Sequence, residues 1–75
     1  MSSYTQRPVL VGVDGSEGSW LALGLAAGEA AMRQLPLRIV HVARADLSAA
    51  RAVVADASAR ASRWYPGLAV DVHVD

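Results

Sequence analysis

Seventy-five residues are about half of a typical single domain, so the sequence holds at most one. Its seven basic and seven acidic side chains cancel, which removes the electrostatic case for a nucleic-acid or anionic-membrane partner, and the lack of cysteine excludes disulfide and thiolate chemistry. Apolar residues make up 53% of the chain, mostly Ala and Val with no Phe, so any core is small, and a chain this short buries only roughly 60% of its unfolded surface.

Residues 1–7 read as a flexible leader before a domain at 8–75. They carry no apolar run of the kind that marks a signal peptide. The longest uncharged stretch, 18–28, is too short to span a bilayer, so a cytoplasmic protein is expected. Val9 to Val13 is a short, continuous apolar run with β-branched residues, the signature of a strand buried on both faces. Asp14-Gly15-Ser16 is a turn signal. Ser16 suits a helix N-cap, and Glu17 suits the positive end of the helix dipole.

Helical spacing then runs over 17–34. Leu21, Leu25, Gly28 and Met32 form a stripe flanked by Trp20, Gly24, Ala27 and Ala31, and this stripe is expected to face a sheet, with the glycines permitting close approach. Glu29 and Arg33 form an outer i, i+4 pair. Pro36 ends the helix, and a second strand occupies 37–42. After a connection over 43–47, a second helix covers 48–65 with a buried stripe of Ala50, Val53, Val54, Ala57, Ala61 and Trp64. Asp56 and Arg60 pair, and Arg51, Arg60 and Arg63 point outward; Pro66-Gly67 stops the helix. Residues 68–74 alternate, Val70, Val72 and Val74 against Asp71 and His73, as in a half-exposed edge strand.

Right-handed crossovers turn the order strand-helix-strand-helix-strand into a parallel sheet of order 3-2-1 with both helices on one face. The fold class is α/β, a β-α-β-α-β half of a doubly wound parallel sheet.

The run Val9-Leu10-Val11-Gly12-Val13-Asp14-Gly15-Ser16, followed after one helix by Pro36-Leu37-Arg38-Ile39-Val40-His41-Val42, resembles the universal stress protein family. The resemblance covers about residues 8–75 and implies the N-terminal half of a five-stranded sheet of order 3-2-1-4-5. ATP-binding members of that family place adenine near the acidic residue after the first strand and near the end of the second, positions that match Asp14 and Val42. Their phosphate-binding loop, G-x2-G-x9-G-S/T, has no counterpart in this sequence, nor does the fifth strand through which such proteins commonly dimerise. The resemblance therefore leaves ATP only an adenine-side foothold at Asp14 and Val42.

Residue chemistry points the same way. Gly12 to Gly18 is spaced G-x-x-G-x-x-G, which is neither the dinucleotide fingerprint nor a P-loop, and its Asp14 and Glu17 repel phosphate. Asp14 reads either as an acceptor for adenine or ribose or as a turn former. Ser16 reads as a cap, because a serine nucleophile needs a base beside it and both histidines lie on strands. His41 is expected partly buried near the C-terminal end of its strand and His73 facing solvent. If the two shared a side they would still lack a third metal ligand, so no metal is expected. Trp20 and Trp64 read as core or helix-packing residues. No paired carboxylates or nucleophile–base pair appears, and the chain is not expected to be an enzyme. VGVDGS also resembles the D-x-G segment of actin-like and sugar-kinase ATPases, but that segment leads into a hairpin, whereas 16–34 has a helical pattern.

With both helices on one face, the other face and the outer edge of the first strand lack cover. Each large apolar side chain left wet there forgoes roughly 1.5–3 kcal/mol, and an open edge invites pairing. The expected partner is a second copy, as a twofold dimer joined along the first strand or stacked on the bare faces, or a complementary protein. The expected function is a small stress-type regulatory or binding protein, the alternative a truncated or partner-dependent fragment without independent activity.

Overall fold

The computed structural model describes residues 7–41 and 46–75. Residues 1–6 of the proposed leader, residues 43–45 of the connection and Val42 lie outside the described residues. Five elements follow one another: β1 (Val9–Gly12), α1 (Glu17–Arg33), β2 (Leu37–His41), α2 (Leu47–Trp64) and β3 (Val70–Val74). All three strands are parallel and lie in the order β1-β2-β3, as the crossover rule requires.

Local chemistry sets the helix boundaries. Ser16 takes an extended conformation and its Oγ accepts the Ser19 N–H at 3.2 Å, which starts α1. Gln34 ends α1 in the left-handed conformation at φ 59°, its N–H returning to the carbonyls of Ala30 and Ala31. Asp46 caps α2 through the Ala49 N–H at 3.2 Å, and the helix starts at Leu47, one residue before the start that the sequence suggests.

The register sorts the strand side chains. Val9, Leu37 and Val70 form one row and Val11, Ile39 and Val72 the next, both on the helix side of the sheet, though Val72 at the edge is still 42% exposed. Leu37 and Ile39 are fully buried there against Leu23, Ala27, Ala30, Val54, Ala57 and Ala61. α1 packs chiefly on β1, and α2 on β3 and β2. The two helices are tied together by Arg60, whose guanidinium lies 4.2 Å from the Trp20 ring centroid while pairing with Asp56 at 3.2 Å. Arg60 is thus part of the helix–helix contact rather than of a solvated face.

Three packing expectations are corrected. The face that α1 turns to the sheet is Ser19, Leu23, Ala27 and Ala30; Leu21, Leu25 and Met32 stand 72%, 78% and 79% exposed on the far side. Trp64 is 43% exposed at the end of α2, where its ring lies 3.9 Å from the place of a Cβ on Gly24. The uncovered sheet face is mixed rather than apolar. It carries Leu10, Gly12, Arg38, Val40, Asp71 and His73, with Arg38 and Asp71 paired at 2.9 Å. Among the described residues, the large apolar side chain well exposed on it is Leu10, at 64%.

Candidate functional site

The carboxyl ends of parallel strands are where α/β sheets bind ligands, and the sequence-predicted site falls at that rim. β1 leaves the sheet at Val13, whose N–H donates to the Val40 carbonyl at 2.9 Å. The Val13 carbonyl accepts a hydrogen bond from His41 Nδ1. Asp75 donates its N–H to the His41 carbonyl at 3.0 Å, so the end of β3 is fastened to the same residue.

Asp14 stands next, exposed, with Oδ1 accepting the Ser16 N–H at 2.9 Å in a short side-chain turn. Hydrogen bonding from Ser16, first from its side chain and then from its backbone amide, holds the Asp14 carboxyl below its ordinary value. The turn needs Gly15 in the left-handed region at φ 88°, with a Cβ there meeting Val53 Cγ2 at 3.4 Å. Ser16 then caps α1, and the buried Ser19 hydroxyl donates to the Ser16 carbonyl at 2.9 Å. The arrangement presents an ionised carboxylate on a rigid turn, an acceptor for hydroxyl or amine donors and a poor neighbour for phosphate.

The structure brings Asp14, Ser16 and His41 to this rim. Val42, the second adenine-side residue, lies outside the described residues. His73 does not join them: it pairs in register with Val40 while His41 pairs with Val74, so the two histidines lie on opposite faces of the sheet. Among the described residues no group of three or more His, Asp or Glu is placed to hold a metal ion, and no helix is long and apolar enough to cross a membrane. A concavity of about 680 Å³ lies at the opposite, amino-terminal end of the sheet, lined by Leu35, Pro36, Trp64, Tyr65, Leu68 and Ala69 among others. It is remote from Asp14. The bond from His41 to Val13 was not anticipated, although the period of two places His41 on the same face as Leu37 and Ile39.

The model of the universal stress protein family matches residues 6–71 of the chain. Curated relatives include universal stress proteins of Mycobacterium bovis and of two strains of Mycobacterium tuberculosis. Each is 51% identical over 43 residues, a stretch that makes up 57% of this chain and only 15% of the relative. With β-α-β-α-β topology, a VGVDGS turn at the rim and a family match over nearly its whole length, the chain belongs to the universal stress protein family.

Proposed function

We propose that the chain is a universal stress protein-like regulatory binding protein that acts by association with a second copy of itself through the side of β1. The observation that carries this reading is the state of β1. Val9 and Val13 give their N–H groups to the β2 side, so the alternation of a strand turns those of Leu10 and Gly12 to the outer edge. Leu10 adds an apolar side chain, 64% exposed, on the uncovered face. Covering it recovers up to about 1.5–3 kcal/mol per copy.

Steric reasoning favours one of the two twofold arrangements. Antiparallel joining of two β1 edges keeps both sets of helices on one face. Paired strands lie about 4.8 Å apart, whereas packed helices need roughly 8–10 Å. Because α1 sits chiefly over β1, the two copies of α1 would collide. Contact through the uncovered faces avoids this and lets Arg38 and Asp71 pair across the interface as well as within each copy.

Sedimentation velocity at micromolar concentration tests the reading: the chain self-associates and Leu10→Glu shifts it towards monomer. A folded, soluble monomer of the unmodified chain would end this proposal. A chain that stays unfolded by circular dichroism until a complementary polypeptide is added would favour the partner-dependent alternative.

A second reading, adenine-side recognition of ATP or AMP, is favoured by one observation, the exposed and ionised Asp14 on a fixed turn. Calorimetric titration with ATP and AMP, repeated on Asp14→Asn, tests it. Binding that the substitution abolishes supports an adenine-side role for Asp14; no heat with either nucleotide removes it.

A further inference from the structure

We infer that His41 is a positioning residue, which fixes the point where β1 becomes the Asp14 turn and thereby sets the direction of the Asp14 carboxylate. As a statement about ligand binding this rests on the adenine-side reading above; as a statement about the rim it stands alone.

Val13 is buried, and its carbonyl points towards β2 at the place where the chain is about to leave the sheet. A buried carbonyl without a partner is costly. His41 supplies the partner with its side chain, across 28 positions of sequence. A carbonyl can only accept, so the nitrogen facing it carries the proton, and the neutral ring is locked as the Nδ1–H form.

The consequence for Asp14 follows from its two neighbours. On one side Val13 is held at both polar atoms, N–H to the Val40 carbonyl and carbonyl to His41. On the other side Ser16 is held by α1, through its carbonyl to Ser19 and Trp20 and its hydroxyl to the Ser19 N–H. Only Asp14 and Gly15 lie between these anchors. Two residues spanning two fixed points have little freedom. Releasing the Val13 carbonyl frees one end and with it the carboxylate. His41 does more than pair locally, since its own carbonyl receives Asp75 from β3; one residue fastens the ends of all three strands.

Side-chain replacements that imitate one imidazole nitrogen at a time give the test. In His41→Asn the amide nitrogen falls near Nδ1, and in His41→Gln near Nε2; His41→Ala removes both. Amide hydrogen exchange of the full chain by NMR is read at Ser16 and Ser19, with Ala57 and Ala61 in the core of α2 as internal controls. Expected is exchange at Ser16 and Ser19 in His41→Asn within about twofold of the unmodified chain, and a rise of about five- to tenfold in His41→Gln and His41→Ala, the effect of losing one hydrogen bond, with the α2 controls moved less. If Asn behaves like Gln, or if the controls rise as much as Ser16 and Ser19, His41 is an ordinary packing residue and the inference falls. Should His41→Ala fail to fold, the Asn and Gln pair still decides. Titration with AMP on the same proteins separates the two layers: the exchange pattern without AMP binding in the unmodified chain removes the adenine-side reading and leaves the clamp, whereas AMP binding that is kept in Asn and lost in Gln supports both.

Discussion

Two leucines on α1, two residues apart, are expected to behave in opposite ways. Leu23 is fully buried against the sheet, and Leu25 is almost four-fifths exposed. Replacing Leu23 with Ala removes three carbons from the core, about 2.4 kcal/mol of transfer free energy at roughly 0.8 per carbon. The unrelaxed cavity brings the expected loss to about 2.7–5 kcal/mol. A chain of this length has a total stability of about 4–11 kcal/mol, so Leu23→Ala removes a large part of it. Leu25→Ala loses only about a fifth of the same transfer term, roughly 0.5 kcal/mol, and regains a little through the better helix propensity of Ala. Urea unfolding followed by circular dichroism, with the slope held common, measures both. Equal losses for the two substitutions would refute the assignment of the α1 faces. A loss at Leu25 that appears only at high protein concentration would mean that a second copy covers it.

The remaining predictions concern the rim and the helix contact. Gly15→Ala is expected to cost about 1–2 kcal/mol, because a Cβ at φ 88° is strained; thermal unfolding measures it. The Asp14 carboxyl is expected to titrate below the ordinary aspartate value, which carbon-13 NMR reads directly. Its folded value lies below its unfolded one, so its contribution to stability is present above the unfolded value and is lost as pH falls through the folded value. Asp14→Asn therefore flattens the acid limb of the stability curve, and an unchanged limb would show that the Ser16 bonds hold no such linkage. Arg60→Gln, which removes the cation over Trp20, is expected to destabilise by about 0.5–1 kcal/mol and to change tryptophan emission; Arg63→Gln, on the exposed face of the same helix, is expected to leave both unchanged.

Element order, strand order and helix placement were legible because each rests on a local signal: β-branched runs for β1 and β2, alternation for β3, Ser16 and Pro36 bounding α1. The α1 face was not. That helix is apolar nearly all round, so no polar contrast marks the outside, and the eye follows the largest side chains. The sheet selects the opposite face because Ala27 and Ala30 let the helix sit close over Leu37 and Ile39, with one Leu23 filling the gap. Large residues were pushed outward by close packing, not by polarity. At the candidate site, Asp14 and Ser16 were legible as turn and cap because their partners are two and three residues away. The His41 bond to Val13 and the pairing of Arg38 with Asp71 depend on inter-strand register, which a single sequence does not print.

The placement of exposed apolar side chains constrains how such a chain associates. Leu10 lies on the uncovered face of the sheet, whereas Leu21, Leu25 and Met32 lie beyond the helices on the other side. A twofold contact uses one patch twice, so no single twofold interface covers both. Leu10 is framed by the Arg38–Asp71 pair and by His73, a polar surround that keeps the face tolerable in water and suits the rim of a modest interface. The α1 face has the larger side chains but only the Glu29–Arg33 pair, at 2.6 Å, along its border. Per residue covered, α1 offers more hydrophobic free energy, while the uncovered sheet face sets the charged Arg38–Asp71 pair beside Leu10, which favours one orientation of a partner. Non-directional attraction at α1 and charge pairing at the uncovered face therefore differ in what they would recognise: the first would tolerate many partners, the second would restrict the geometry, so specificity of association is expected on the sheet face that carries Leu10.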